Sequence, residues 1–80
     1  MTLRRQIFTK GDEYRAKVSF MSLNSVFVSG EKLTFLQDGY SPYDGCFWYE
    51  FHSQMDGKDK LWLFHETLPI EDWRKFFEPI

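Results

Sequence analysis

From Cys46 to Glu66 the chain reads "CFWYEFHSQ", then "MDG", then "KDKLWLFHE". Two runs that alternate apolar and polar residues flank Asp56-Gly57, and this pattern specifies an antiparallel hairpin more tightly than any other stretch. With Asp56 and Gly57 as a two-residue type I′ turn, Met55 pairs with Lys58 and the register runs outward from there. Phe51 then faces Trp62, Tyr49 faces Phe64 and Phe47 faces Glu66. Phe47, Tyr49 and Phe51 share the face expected to form the core. The opposite face pairs His52 with Leu61, Glu50 with Leu63, and Trp48 with His65. Because side chains alternate along a strand, a slip by one residue would scramble these partnerships.

The rest of the chain supplies elements to pack on this hairpin. Residues 1–9 suit either a short helix or an edge strand, and "TKGD" (9–12) reads as a turn. "EYRAKVSF" (13–20) alternates as a half-buried strand with Tyr14, Ala16, Val18 and Phe20 on one face. "MSLNS" reads as loop, and "VFVSGEK" (26–32) turns at Ser29-Gly30. "KLTFLQ" (32–37) is a strand with Leu33 and Phe35 on one face, followed by "DGYSPYDG" (38–45) as a long turn region. In "TLPIEDWRKFFEPI" (67–80), Ile70, Trp73 and Phe77 fall at i, i+3 and i+7 with Phe76 beside them. Pro69, Glu71 and Asp72 suit a helix start, and Pro79 its end. The expectation is an α+β fold: a curled antiparallel sheet or small barrel of four to five strands with a C-terminal helix packed on it, forming one domain over residues 1–80.

Eighty residues leave a thin stability margin, since a chain this short buries only roughly 60–65% of its unfolded surface. One cysteine excludes an internal disulfide, so an aromatic core and a partner subunit are the supports that remain. Aromatic residues make up 20% of the chain, enough to dominate that core. A net charge of −2 gives no general attraction for phosphate backbones. The local exception, Arg4-Arg5 with Lys10, Arg15 and Lys17, is interrupted by acidic residues and reads as a mixed solvated surface. With neither a signal-peptide core nor a long apolar run, no membrane partner is expected, and a cytoplasmic location with reduced Cys46 is.

Gly11 and Tyr14 before a strand ending at Phe20, then "GEKLTFL" (30–36), then "PYDG" (42–45) before an aromatic strand resemble a family of small bacterial domains of unknown function. The resemblance covers roughly residues 10 to 52 and does not extend past Gly57. It implies a small β-rich barrel or sheet and no particular activity. The chain is also similar in kind to products of bacterial mobile gene cassettes.

Chemistry-bearing side chains gather on the hairpin's second face, where Cys46, Glu50, His52 and His65 accompany Trp48. The two histidines lie four pair positions apart, about 13 Å along the strand, too far to share a metal. No metal and no cofactor is therefore expected. Cys46 has no His, Lys or Arg within five residues and reads as an inert thiol. Phosphate-loop, nucleophile-elbow and calcium-loop patterns are missing from the sequence, so the chain is not expected to be an enzyme.

What stands out is apolar excess. Trp48, Leu61 and Leu63 face away from the core, and one helix covers only one face. The first expectation is a self-associating protein-interaction module, a homodimer or larger with a further protein partner possible, binding through Trp48, Leu61 and Leu63 with Tyr40 and Tyr43. Residues 1–9 offer another cover for that face, through Leu3, Ile7 and Phe8. The alternative function is small-molecule binding in a cleft between sheet and helix, lined by Tyr40, Tyr43, Trp48 and Trp73. A third is binding of RNA or single-stranded DNA on exposed aromatics, which the acidic balance opposes.

Overall fold

A computed structural model describes residues 7–80, apart from the side chain of Ile70. The strands are β1 (Glu13–Ala16), β2 (Phe20–Ser22), β3 (Ser25–Phe27), β4 (Lys32–Ser41), β5 (Cys46–Ser53), β6 (Asp59–His65) and β7 (Phe77–Pro79). Five of them form one antiparallel sheet in the order β6-β5-β4-β1-β7, and β2 and β3 form a separate two-stranded ribbon.

The expected α+β class is corrected here to a nearly all-β one, because the C-terminal helix is not formed. Ile70–Lys75 wind as a single six-residue 3-10 helix, and Phe77–Pro79 leave it as β7, pairing with β1. The helical stripe was real in spacing but too short to nucleate an α-helix between Pro69 and Pro79. In a 3-10 turn, residues three apart eclipse one another, so Trp73 and Phe76 both turn onto the core. Phe77 gains more as a fully buried strand residue opposite Ala16.

The central hairpin keeps the expected faces but not the expected partners. Tyr49 faces Trp62, Phe47 faces Phe64 and Phe51 faces Lys60; outside, Trp48 faces Leu63, Glu50 faces Leu61 and His52 faces Asp59. The register has moved by two residues because the connection is a four-residue loop. The amide of Ser53 donates to the Lys58 carbonyl at 2.8 Å and that of Gly57 to the Ser53 carbonyl at 3.0 Å. Gly57 takes φ 73°, so the Asp-Gly signal marks the turn's end rather than its centre. A shift of two preserves facing while exchanging every partner.

Two other strand limits are also corrected. β4 runs on to Ser41, through what reads as turn, with a bulge between Phe35 and Gln37 that re-phases its alternation. The 13–20 strand breaks after Ala16, and Val18, expected inside, is exposed.

The inner face holds Tyr14, Ala16, Leu33, Phe35, Phe47, Tyr49, Phe51, Trp62, Phe64 and Phe77, with Phe27 from the ribbon. Phe8 enters this core rather than the second face of the hairpin. It meets seven rings at centroid distances from 4.9 to 6.0 Å. Ile7 packs against the same cluster, while Leu3 lies outside the described residues.

The core also encloses an ion pair that pattern reading missed. Glu31 and Ser53 are fully buried and Lys60 nearly so. Lys60 Nζ lies 2.6 Å from Glu31 Oε2 and donates to the Val26 carbonyl at 2.6 Å, while Glu31 Oε1 accepts from the Val28 amide at 2.9 Å. Ser53 Oγ donates to the same Glu31 carboxylate. Burial disfavours the ionised Glu31, but hydrogen bonds from Lys60, Ser53 and the Val28 amide outweigh it and hold the carboxyl below its ordinary value. The signal was present in the alternation: Lys60 shares a face with Trp62 and Phe64, and Ser53 with Phe51.

Candidate binding groove on the outer sheet face

The outer side chains of β4, β5 and β6 form rows across the sheet. Gln37, Glu50 and Leu61 make one; Gly39, Trp48 and Leu63 the next; Ser41, Cys46 and His65 the third. Gly39 is what lets Trp48 lie down. A Cβ at position 39 would stand 2.2 Å from Trp48 Cζ2 and 2.4 Å from Cε2, so the indole occupies the space a side chain would need. An aromatic laid over a cross-strand glycine shields backbone that glycine would leave bare.

The β2–β3 ribbon closes one side. Its Ser25 and Ser22 hydroxyls accept the Leu61 and Leu63 amides at 3.1 and 2.9 Å, which satisfies donors on the free edge of β6. At the ribbon's tip Leu23 takes φ 53°, a conformation that a branched bulky residue rarely adopts. Leu23, exposed at 62%, lines the rim. The β4–β5 turn forms the other side, held by Ser41 Oγ donating to Asp44 Oδ2 at 3.0 Å.

Between these walls lies an open groove of about 520 Å³, lined by Leu23, Gln37, Ser41, Asp44, Trp48, Glu50, Leu61 and Leu63. Its volume is within the ~300–1,000 Å³ of small-ligand sites. A second depression of about 450 Å³, lined by Gly11, Asp12, Glu13, Tyr14, Thr34, Pro79 and Ile80, offers no aromatic side chain but the buried Tyr14.

Of the site residues expected from sequence, Trp48, Leu61 and Leu63 come together here. Tyr40 does not join them: it packs on Phe47 at 4.9 Å and donates to Glu66. That hydrogen bond first, then burial and the Glu66 and Cys46 charges, push the Tyr40 phenol up. Tyr43 projects from the β4–β5 turn, 98% exposed. Trp73 packs on Phe8 at the inner face, so a cleft between sheet and helix, lined by Tyr40, Tyr43, Trp48 and Trp73, is not built. Leu23, Gln37, Ser41 and Asp44 were missed because their segments read as loop, turn or strand end. A Gly-Trp pairing was the available clue, once β4 is extended to meet the "PYDG" turn.

The polar residues of this face do not converge. The true register puts His52 opposite Asp59 and His65 opposite Cys46, about 20 Å apart along the strand rather than 13 Å. His52 Nδ1 lies 2.8 Å from Asp59 Oδ1, and His65 Nδ1 2.8 Å from Thr67 Oγ1. No group of three or more His, Cys, Asp or Glu able to hold a metal ion occurs among the described residues. Cross-strand pairing brings His65 to Cys46, which distance along the chain had concealed. Burial, then the Asp44 and Glu66 carboxylates, nevertheless push the thiol up, against thiolate formation.

No protein-family model matches the chain, and no curated protein matches it. Among solved structures, an integron cassette protein from the mobile metagenome of Vibrio cholerae is similar to it. The TM-score is 0.71 over 92% of this chain and 87% of that one, at 17% identity. At that identity the likeness shows a shared fold. No helix among the described residues is long and apolar enough to cross a membrane.

Proposed function

We propose that this protein is a non-catalytic binding module whose working surface is the groove around Trp48. The observation that carries this reading is the groove's construction: an aromatic floor, Leu61 and Leu63 beside it, and a strained Leu23 held at its rim. Apolar side chains around a few polar groups are the usual make-up of a small-ligand site. The Cys46 thiol, next to the groove but not among its lining residues, is pushed up by burial and the Asp44 and Glu66 charges, which opposes its use as a nucleophile. Thermal melting with 2-phenylethanol tests the reading: a ligand that binds only the folded chain raises Tm with concentration. A rise in wild type that is lost in Trp48→Ala supports it, and no rise at high millimolar probe counts against it.

Self-association is the second reading, favoured by the exposure of Met21 and Val26 on the ribbon beside the groove and of Leu23 on its rim. Two copies face to face would bring Asp44 and Glu50 carboxylates together, which opposes this arrangement. Sedimentation at high micromolar concentration decides it: a dimer that Trp48→Glu converts to a folded monomer would favour association over ligand binding. The fold shared with an integron cassette protein is compatible with a small bacterial binding module and names no ligand.

A further inference from the structure

We propose that the groove takes a small amphipathic cation, an aromatic or aliphatic group carrying an ammonium; this rests on the binding-groove reading above. The residues that line it include two carboxylates, Asp44 and Glu50, and no Lys, Arg or His. Neither carboxylate has an ion-pair partner among the described residues. Their polar contacts are neutral: Gln37 Nε2 donates to Glu50 Oε1 at 2.7 Å, and Ser41 Oγ donates to Asp44 Oδ2. Several acids elsewhere are paired, as with Glu31 and Lys60, Glu13 and Lys32, or Arg15 and Glu78, while Asp12 and Glu71, outside the groove, have no ion pair among the described residues either. What sets Asp44 and Glu50 apart is that both line the concavity around Trp48. The groove's two acids are left for a charge from outside.

Trp48 supplies the other half of such a site. The indole has the most negative face of the aromatic side chains and attracts a cation within about 6 Å of its centre. Leu61, Leu63 and Leu23 would cover the ligand's apolar part, while Glu50 and Asp44, on opposite flanks of Trp48, set where the ammonium lies. A carboxylate or phosphate on the ligand would meet like charge. The site therefore selects by sign as well as by apolarity.

The test compares three probes of one shape by calorimetry: 2-phenylethylammonium, 2-phenylethanol and 3-phenylpropionate, with wild type and with Glu50→Gln and Asp44→Asn. The ammonium is expected to bind about ten-fold more tightly than the alcohol, and the carboxylate most weakly. That preference should shrink in each variant, whose melting reports whether it is folded, and should fall as salt is raised. Equal binding of ammonium and alcohol, or a preference untouched in both folded variants, overturns the cation while leaving the groove reading intact. Failure of all three probes to bind overturns both.

Discussion

Trp48 lies across Gly39, its cross-strand partner, in the space where any larger residue would carry its Cβ. This contact fixes the floor of the outer groove, and it depends on one missing methyl group. Gly39→Ala should therefore lift the indole off the sheet, with an overpacking cost of about 1–3 kcal/mol. Melting together with the Trp48 indole resonance checks this. Unchanged values for both would show that the indole does not need the glycine.

Phe8 stands where seven aromatic rings meet, though it belongs to no strand. Phe8→Ala should cost about 3–5 kcal/mol, enough to leave a domain of this size largely unfolded. Trp73→Ala should cost less, since Trp73 is only partly buried. Chemical denaturation of both variants measures the difference. A Phe8 variant as stable as wild type would contradict the packing of the core.

Much of this core could be read from alternation alone. Phe47, Tyr49, Phe51, Trp62 and Phe64 face inward as their period of two requires, and the two-residue register error left that facing intact. Register was illegible because Asp56-Gly57 suits both a two-residue and a four-residue connection, and side-chain hydrogen bonds at the turn choose between them. Ser53 Oγ accepts the Met55 and Asp56 amides at 3.2 and 3.4 Å, which stabilises the longer loop. The last fourteen residues misled for another reason. Trp73, Phe76 and Phe77 satisfy a helical stripe, but only tertiary pairing with β1 reveals that Phe77 prefers a strand. Trp48, Leu61 and Leu63 were legible as a surface; Leu23 and Asp44 required the ribbon and turn that carry them.

Lys60→Met leaves Glu31 as a buried carboxylate without its cation and should cost about 3–5 kcal/mol. Adding Glu31→Gln removes that charge while keeping an acceptor for the Val28 amide, so the double variant should be the more stable of the two. Denaturation of the single and double variants checks the coupling. A double variant less stable than Lys60→Met would refute the pairing.

The same carboxylate gives stability a pH dependence. Its folded value is depressed, so its contribution is present above the ordinary value of 4.5 and is lost as pH falls through the lower folded one. Glu13, lowered chiefly by the Gln54 hydrogen bond, and Asp56, chiefly by the Lys58 amide, act in the same direction. Tm should fall with acidification below about pH 4.5, less steeply in Glu31→Gln. Equal acid slopes for wild type and variant would remove Glu31 from this account.

Cys46 should react slowly with an aromatic disulfide reagent at neutral pH, because burial and the Asp44 and Glu66 charges oppose its thiolate. Cys46→Ser should leave melting and probe binding close to wild type. Rapid labelling, or loss of binding in this variant, would point to a role for the thiol.

The most direct test of the groove is a titration of isotope-labelled protein with 2-phenylethylammonium, followed by amide and indole NMR shifts. The account predicts that the largest changes fall on the Trp48 indole and on Leu23, Gln37, Glu50, Leu61 and Leu63, the residues that line one concavity. Changes centred on Gly11, Tyr14 and Ile80 at the other depression, or a Trp48 indole that never moves, would contradict it.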